Sequence, residues 1–492
     1  MRKGDMLYNG VSENKEKLLE LCGGSDDIVT APITSGRIEC VGVWCDGMVN
    51  LTLCLEQFYK RIMAVKKGEV KNGRELIERL SCERPLAVDC KKLETFDEVL
   101  YAVMSGAAVL IADDSNVAVA FAAPGFSFRA VSESYTEENV RSSREGFVEP
   151  LKVNMTLVRR RIKSSKLVFK TMQVGSVSKT EVAIVYLSDR VSKKLITIIE
   201  KRLLDIDLEL VLESGFIEPF FESSRNSLFS GTGHTERPDT LCGKLREGRV
   251  GIIVDGTPFA IIIPYLFMEN FQSFDDYTNK PYYSSFIRVI KYLSFFISIF
   301  LPGLYVALAN FNPELIPAKL LYNITASQKS TPLPLMFEAL FITVVYEIVR
   351  EAGLRLPRPV GHAVSLIGAL VVGEAAVNAG IIGSPMVMVV ALTAISAFTI
   401  PMLHEPTTVL RFVFIVVGGL IGPVGLALGF FIMTVNICSV NTYGVPYAAM
   451  LSPYSKSLFV DSVIRQSWER MEQDRARLWD LNGAELKEPD DD

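Results

Sequence analysis

The segment Ile287–Asn310, IRVIKYLSFFISIFLPGLYVALAN, decides the architecture. It carries no charge after Lys291, and as a helix it is long enough to cross a hydrocarbon core of roughly 30 Å. The chain is therefore read as an integral membrane protein. Four more apolar runs follow, at about 333–350, 360–383, 385–403 and 409–437, each bounded by Pro, Gly or charge. From Tyr292 to Val440 there are only twelve charged side chains in 149 residues, against 107 in the 492 of the whole chain. Soluble cores rarely need apolar runs of about 20 residues. The expectation is an all-α polytopic membrane bundle of about five spans over residues 286–440.

The sequence before this segment is of ordinary soluble character. Residues 1–145 alternate strand-like runs, RIECVGVW and AAVLIADD, with helical stretches at LTLCLEQFYKRIMAV and TFDEVLYAVM. The polar stretch SESYTEENVRSSREGF leads into a second unit, 146–285, containing TEVAIVYLSD, KKLITIIEKRLLD and GRVGIIVDGTPFAIIIP. Two α/β subdomains are expected, with no repeat visible between them. Neither holds a G-x-G-x-x-G or Walker A sequence to cradle phosphates, so no cofactor is expected and a nucleotide-driven pump is disfavoured.

A net charge of −5 with acids and bases interspersed leaves no nucleic-acid footprint. The eight cysteines, Cys22, Cys40, Cys45, Cys54, Cys82, Cys90, Cys242 and Cys438, form no C-x-x-C pair. His234, His362 and His404 show no metal-ligand or triad spacing. Neither a metal site nor a catalytic triad is expected, and the cysteines read as reduced core residues.

Arg350, Arg355 and Arg358 in REAGLRLPRP, with Arg288 and Lys291 before the first span, place those segments on the cytoplasmic side. The N-terminus shows no apolar stretch of the signal-peptide kind, so the soluble half is expected on that side too. Five spans would put the tail, 441–492, outside, although its arginines suit the inside. The connection at 383–385 and the VGGLIGPVG break at 417–425 are the places where a re-entrant or discontinuous element would alter the count. Within the tail, Val460, Ile464, Trp468 and Met471 would share one helical face, as in an amphipathic helix lying on the membrane lipids or against the soluble domain.

Three carboxylates fall inside the apolar region: Glu338, Glu347 and Glu374. An ionised carboxylate at the bilayer centre costs about 2.5–3.5 kcal/mol on insertion scales, so these should avoid lipid. They either line a cation path or, for Glu347 beside Arg350 and Glu338 near a span end, reach the interface. Glu374 is mid-segment with Asn378 one turn on, the stronger candidate for a conduction path. Gly418, Gly422, Gly425 and Gly429 recur at helical spacing and read as a packing stripe along one span. Pro302 and Pro423 should free carbonyls that need partners in protein or water.

These motifs together resemble the A subunits of the GerA-type spore germination receptors. The residues that carry the resemblance are REGFVEPL at 144–151, TERPD at 235–239, EGRVGIIVDGTPFAIIIP at 247–264, LRLPRPVG at 354–361 and GEAAVNAGI at 373–381. One departure is SSREGF, where the family usually has GPREGF. The resemblance implies a non-catalytic membrane subunit of the spore inner membrane. Its implied partners are a permease-like B subunit, which senses nutrients, and a lipoprotein C subunit. It further implies a homo-oligomeric ring conducting monovalent cations, with Glu374 and Asn378 near the path and Arg144, Glu145, Glu236, Arg237 and Arg358 as structural motif residues. A sporulation-specific paralogue that assists ion release without its own sensor, a secondary transporter and a clustering scaffold are the competing readings.

Overall fold

The computed structural model describes residues 5–54, 59–66, 68–82, 90–125, 137, 143–222, 227–356, 373–449, 452–453, 461–473 and 477–486. The first subdomain has helix α1 (Val11–Leu21), strands β1 (Ile28–Ser35) and β2 (Ile38–Cys45), helix α2 (Gly73–Cys82), β3 (Cys90–Leu93), α3 (Phe96–Val103), β4 (Ala107–Ala112) and β5 (Ala118–Ala122). The strands form one antiparallel sheet in the order β1-β2-β4-β5-β3. Central β4, AAVLIA, is buried at every position. One face meets α1 and α3 through Val109 and Ile111, and the other meets α2 through Leu110 and Ala112. A strand covered on both faces needs an unbroken apolar run, which is how it reads in the sequence. Thr95 and Glu98 start α3 with a capping box.

The second subdomain repeats this plan: α4 (Leu151–Arg161), β6 (Leu167–Val174), β7 (Thr180–Leu187), α5 (Lys193–Leu204), β8 (Gly233–Thr235), α6 (Pro238–Arg246), β9 (Val250–Val254) and β10 (Ala260–Ile263). Its sheet order, β6-β7-β9-β10-β8, is the first order shifted by five. The expectation of no repeat is thus corrected at the level of structure. Alternation of apolar and polar residues carries topology without residue identity, so a duplicated plan leaves no obvious self-similarity in sequence. The two units are joined by the fully buried pair Arg159–Asp27, at 2.7 Å, and by Asp26 and Ser25 bonding the backbone of β6.

Beyond the second subdomain stand α7 (Pro281–Phe311), α8 (Ala318–Ser330), α9 (Leu335–Arg355), α10 (Ser384–Phe398), α11 (His404–Ile421) and α12 (Pro423–Ser439). Two helical stretches, Pro281–Phe311 and Pro401–Ile421, are long and apolar enough to cross a membrane, and α8 with α9 pass that test only as a pair bent by 81°. α10 and α12 are shorter apolar helices. The described residues therefore give two to three candidate spans, not clearly the expected five. Most of the 360–383 run lies outside the described residues. The expected span 409–437 is divided, because Gly422 takes φ 74° and Pro423 starts a new helix.

This break also corrects the glycine stripe, since Gly418 belongs to α11 and Gly425 and Gly429 to α12. Gly418 instead meets Gly303 of α7, where a Cβ on Gly418 would come within 2.5 Å of the Gly303 carbonyl oxygen. Gly429 faces the Phe414 ring of α11, and Gly422 faces Phe311.

α12 returns to the second subdomain. Ser227 donates a hydrogen bond to Asn436 at 3.1 Å, and Val445, Tyr447 and Ala448 enter the same core as Ile252 and Phe267. The tail packs there too, through Leu478, Leu481 and Leu486. Tail and soluble subdomains thus lie at the same end of the bundle, which an odd number of crossings would forbid. The single amphipathic tail helix is corrected as well. Among the described residues, 461–462 and Trp468–Gln473 are helical but 463–467 between them are not, Ile464 and Trp468 are exposed, and Val460 lies outside the described residues.

Candidate functional site

Four charged groups of the bundle are buried or engaged inside the chain. Glu338, in the first turn of α9, is 1% exposed and accepts a hydrogen bond from the Gly383 N–H at the start of α10. A carboxylate there answers both an orphan amide and the positive end of the helix. Glu347, two turns further along α9, pairs with Arg350 at 2.9 Å and with Arg411 of α11 at 3.1 Å.

Arg411 was not singled out in the sequence, yet it is 1% exposed and central. Its Nε donates to the Ser298 carbonyl of α7 at 2.8 Å. Ser298 is four residues before Pro302, so its carbonyl is the one that the missing proline N–H leaves without a helical partner. The arginine supplies that partner from the neighbouring helix. A proline and an arginine on different apolar segments were the available signal. What sequence lacks is the register that brings 298, 347 and 411 together.

Glu374 and Asn378 lie on the short helical segment 373–378, beside the start of α10, and both are exposed. No hydrogen bond or ion pair engages Glu374 among the described residues. The structure does not bring it to Glu338 or Glu347.

At the foot of α7 a second charged cluster was also missed. Arg288 is 0% exposed; it donates to Asp276 at 2.8 Å and pairs with Asp461 of the tail at 3.0 Å. Tyr277 donates to the same Asp461, and Arg465 bonds the Tyr277 carbonyl. Burial, opposed by Arg288, leaves the Asp461 carboxyl above its usual range. Nearby, Glu269 is held by Lys244 and Arg249, each at 2.5 Å. Burial would raise the Glu269 carboxyl, but these two cations outweigh it and set it below the usual value. Such pairs fix geometry more than they stabilise.

The motif residues fall in the second subdomain. The Phe147 N–H donates to the Glu236 carbonyl at 2.7 Å, joining REGFVEPL to TERPD. Glu145 pairs with Arg160 and Arg161, and Arg237, 2% exposed, pairs with Asp239 and donates to the Ser143 carbonyl. Arg144 is exposed, and Arg358 lies outside the described residues. Among the described residues no group of three or more His, Cys, Asp or Glu could hold a metal ion. Burial raises the thiols of Cys22 to about 11 and of Cys40 and Cys242 to about 12, which makes them poor nucleophiles.

Residues 16–477 match the model of the family described as Bacillus/Clostridium GerA spore germination protein. The chain is 37% identical over 467 residues to spore germination protein KA of Bacillus subtilis, covering 94% of this chain and 85% of that one. It is 34% identical over 465 residues to the uncharacterized membrane protein YfkQ of the same organism, covering 94% and 90%. The crystal structure of the N-terminal domain of the A subunit of the Bacillus megaterium spore germinant receptor GerK3 is 29% identical, with a TM-score of 0.44, covering 54% of this chain and 99% of that one. This chain belongs to the GerA spore germination protein family.

Proposed function

We propose that this protein is the A-type subunit of a nutrient-responsive germination receptor in the spore inner membrane, and that copies of it close a ring conducting monovalent cations. The observation that carries the reading is the exposure of Glu374 and Asn378. The other two intramembrane carboxylates are engaged within the chain, whereas Glu374 is exposed and no bond or ion pair engages it among the described residues. A carboxylate in an apolar segment is not left facing lipid. In the assembly it would face a companion subunit or a wet path, as rings of carboxylates do in cation channels.

On this reading the chain is not catalytic. It works with a permease-like B subunit that senses the nutrient and with a lipoprotein C subunit. The soluble half faces the cytoplasm and acts as a lever on the bundle. Support comes from the foot of α7, which follows Asn279 and Lys280 without slack and is held by Ser284 donating to the Asp276 carbonyl at 2.7 Å.

The test is cation flux across planar bilayers holding the protein with its partner subunits, wild type against Glu374→Gln. Altered conductance or selectivity with intact assembly is expected. Unchanged flux and selectivity in an assembled complex would remove Glu374 from the path.

A further inference from the structure

A cleft of about 260 Å³ opens where the tail meets the second subdomain and the segment leading into α7. None of the groups assigned to ion passage lines it. Tyr265, Phe274 and Trp468 give it aromatic walls, from three different stretches of chain.

The charges around it are unequal in a way that the lining residues alone conceal. Each carboxylate on the wall is answered by a cation of the chain: Asp239 by Arg237, Glu269 by Lys244 and Arg249, Asp461 by Arg288, and Glu247 by Arg249. Arg246 of α6 and Arg470 of the tail, both exposed on the wall, form no ion pair among the described residues. The acids are thus neutralised and the arginines remain open to an anion, with aromatic faces beside them. Gln466, also on the wall, has its side-chain oxygen buried without a hydrogen-bond partner. A buried acceptor left alone is costly, and a donor on a ligand would answer it.

We propose that this cleft binds a small organic anion with a flat apolar body and a hydrogen-bond donor, held between Arg246, Arg470 and the aromatic walls. The volume suits a ligand smaller than a drug molecule. Because the walls come from the second subdomain, the tail and the stretch 273–278, an occupant fastens the tail to the foot of the first span. Ligand binding and tail docking are then linked, each strengthening the other.

The test uses the purified full-length chain in detergent, excited at its tryptophans. Trp468 lines the cleft, Trp479 lies beside Gly248 next to it, and Trp44 is in the first subdomain. The probe is 4-hydroxybenzoate, compared with its uncharged counterpart 4-hydroxybenzyl alcohol and with inorganic phosphate. A saturable emission change is expected with 4-hydroxybenzoate. At least tenfold weaker binding is expected for the alcohol and for phosphate, and the same loss for Arg246→Gln combined with Arg470→Gln, whose unfolding temperature should match wild type. The anion should also slow tryptic cleavage of the tail. No saturable response, equal affinity for acid and alcohol, or unaltered binding by the double variant would overturn the site. Ion flux is not read, so the result is independent of the channel reading.

Discussion

Asn14 and Asn154 occupy one structural position in two different subdomains. Each is fully buried in the first helix of its unit and reaches back six residues to bind both the N–H and the C=O of a single residue. Asn14 binds Tyr8 at 2.8 and 2.7 Å, and Asn154 binds Val148 at 2.8 and 2.5 Å. The correspondence extends to aspartates after the central strands, where Asp113 accepts from the Val11 N–H and Asp255 from the Leu151 N–H.

This pairing gives a graded prediction. Truncating Asn154 to Ala strands two backbone groups on Val148, which is 5% exposed, so a loss on the order of 2–4 kcal/mol is expected. Tyr8 is 44% exposed, so water can replace the lost partner and Asn14→Ala should cost less. Hydrogen exchange on the full chain in detergent would read both. Protection should fall across 147–158 for Asn154→Ala, and by a smaller amount across 7–18 for Asn14→Ala. Equal losses would contradict the solvent argument.

Glu137 predicts a pH dependence. Burial raises its carboxyl to about 7, although Thr235 donates to it at 2.9 Å and Arg237 is nearby. In the unfolded chain a glutamate titrates near about 4.3. Between these values the folded state holds a proton that the unfolded state has lost, so stability falls as pH rises through the window. The contribution is roughly 2–3 kcal/mol from pH 4 to 7. Glu137→Gln should flatten that part of the profile and unfold at a higher temperature than wild type at pH 8. Parallel profiles for the two proteins would refute the assignment.

The two α/β subdomains were legible because strands such as AAVLIA and VGIIV, buried on both faces, must be written in apolar residues. Their shared topology was not, since it resides in strand order, which depends on contacts such as β2 with β4 across a long intervening segment. In the bundle, apolar runs marked the helices, and the Gly/Pro-rich stretch 417–425 marked where a break could fall, but hydropathy did not say that it does. Gly422–Pro423 divides a run that hydropathy reads as continuous, because backbone conformation at a glycine does not alter mean apolarity. Glu338 and Glu347 stood out as intramembrane acids. Their partners Gly383 and Arg411 did not, since each is 45 or 64 residues away and only the packing register selects them.

The close crossing of α7 and α11 depends on having no side chain at Gly303 and Gly418. A Cβ on Gly303 would come within 2.4 Å of the Phe414 carbonyl oxygen. Backbone cannot yield as a side-chain tip does, so Gly418→Leu should force the helices apart at a cost of about 1–3 kcal/mol or more. Gly243 offers a control, because nothing lies within 4 Å of its added Cβ. Thermal unfolding in detergent should show a clear drop for Gly418→Leu and little change for Gly243→Ala.

The Glu347–Arg411 pair supports the sharpest test of the bundle. Arg411 is shut between α7, α9 and α11, with its Nε already on the Ser298 carbonyl. Replacing Glu347 by Ala leaves a buried guanidinium without its opposite charge, although Arg350 loses a partner it can regain in solvent. Breaking a buried pair from one side costs about 3–5 kcal/mol, whereas removing both charges is often nearly neutral. Glu347→Ala should therefore reduce the amount of folded protein in the membrane sharply, and adding Arg411→Met should restore most of it. The Ser298 carbonyl freed by Pro302 still loses its donor in the double variant, so a residual deficit of about 1 kcal/mol is expected. Quantifying membrane-extracted, monodisperse protein for the two single variants and the double separates the cases. If the double variant is as depleted as Glu347→Ala, the charges are not coupled, and Arg411 serves α7 through the carbonyl alone.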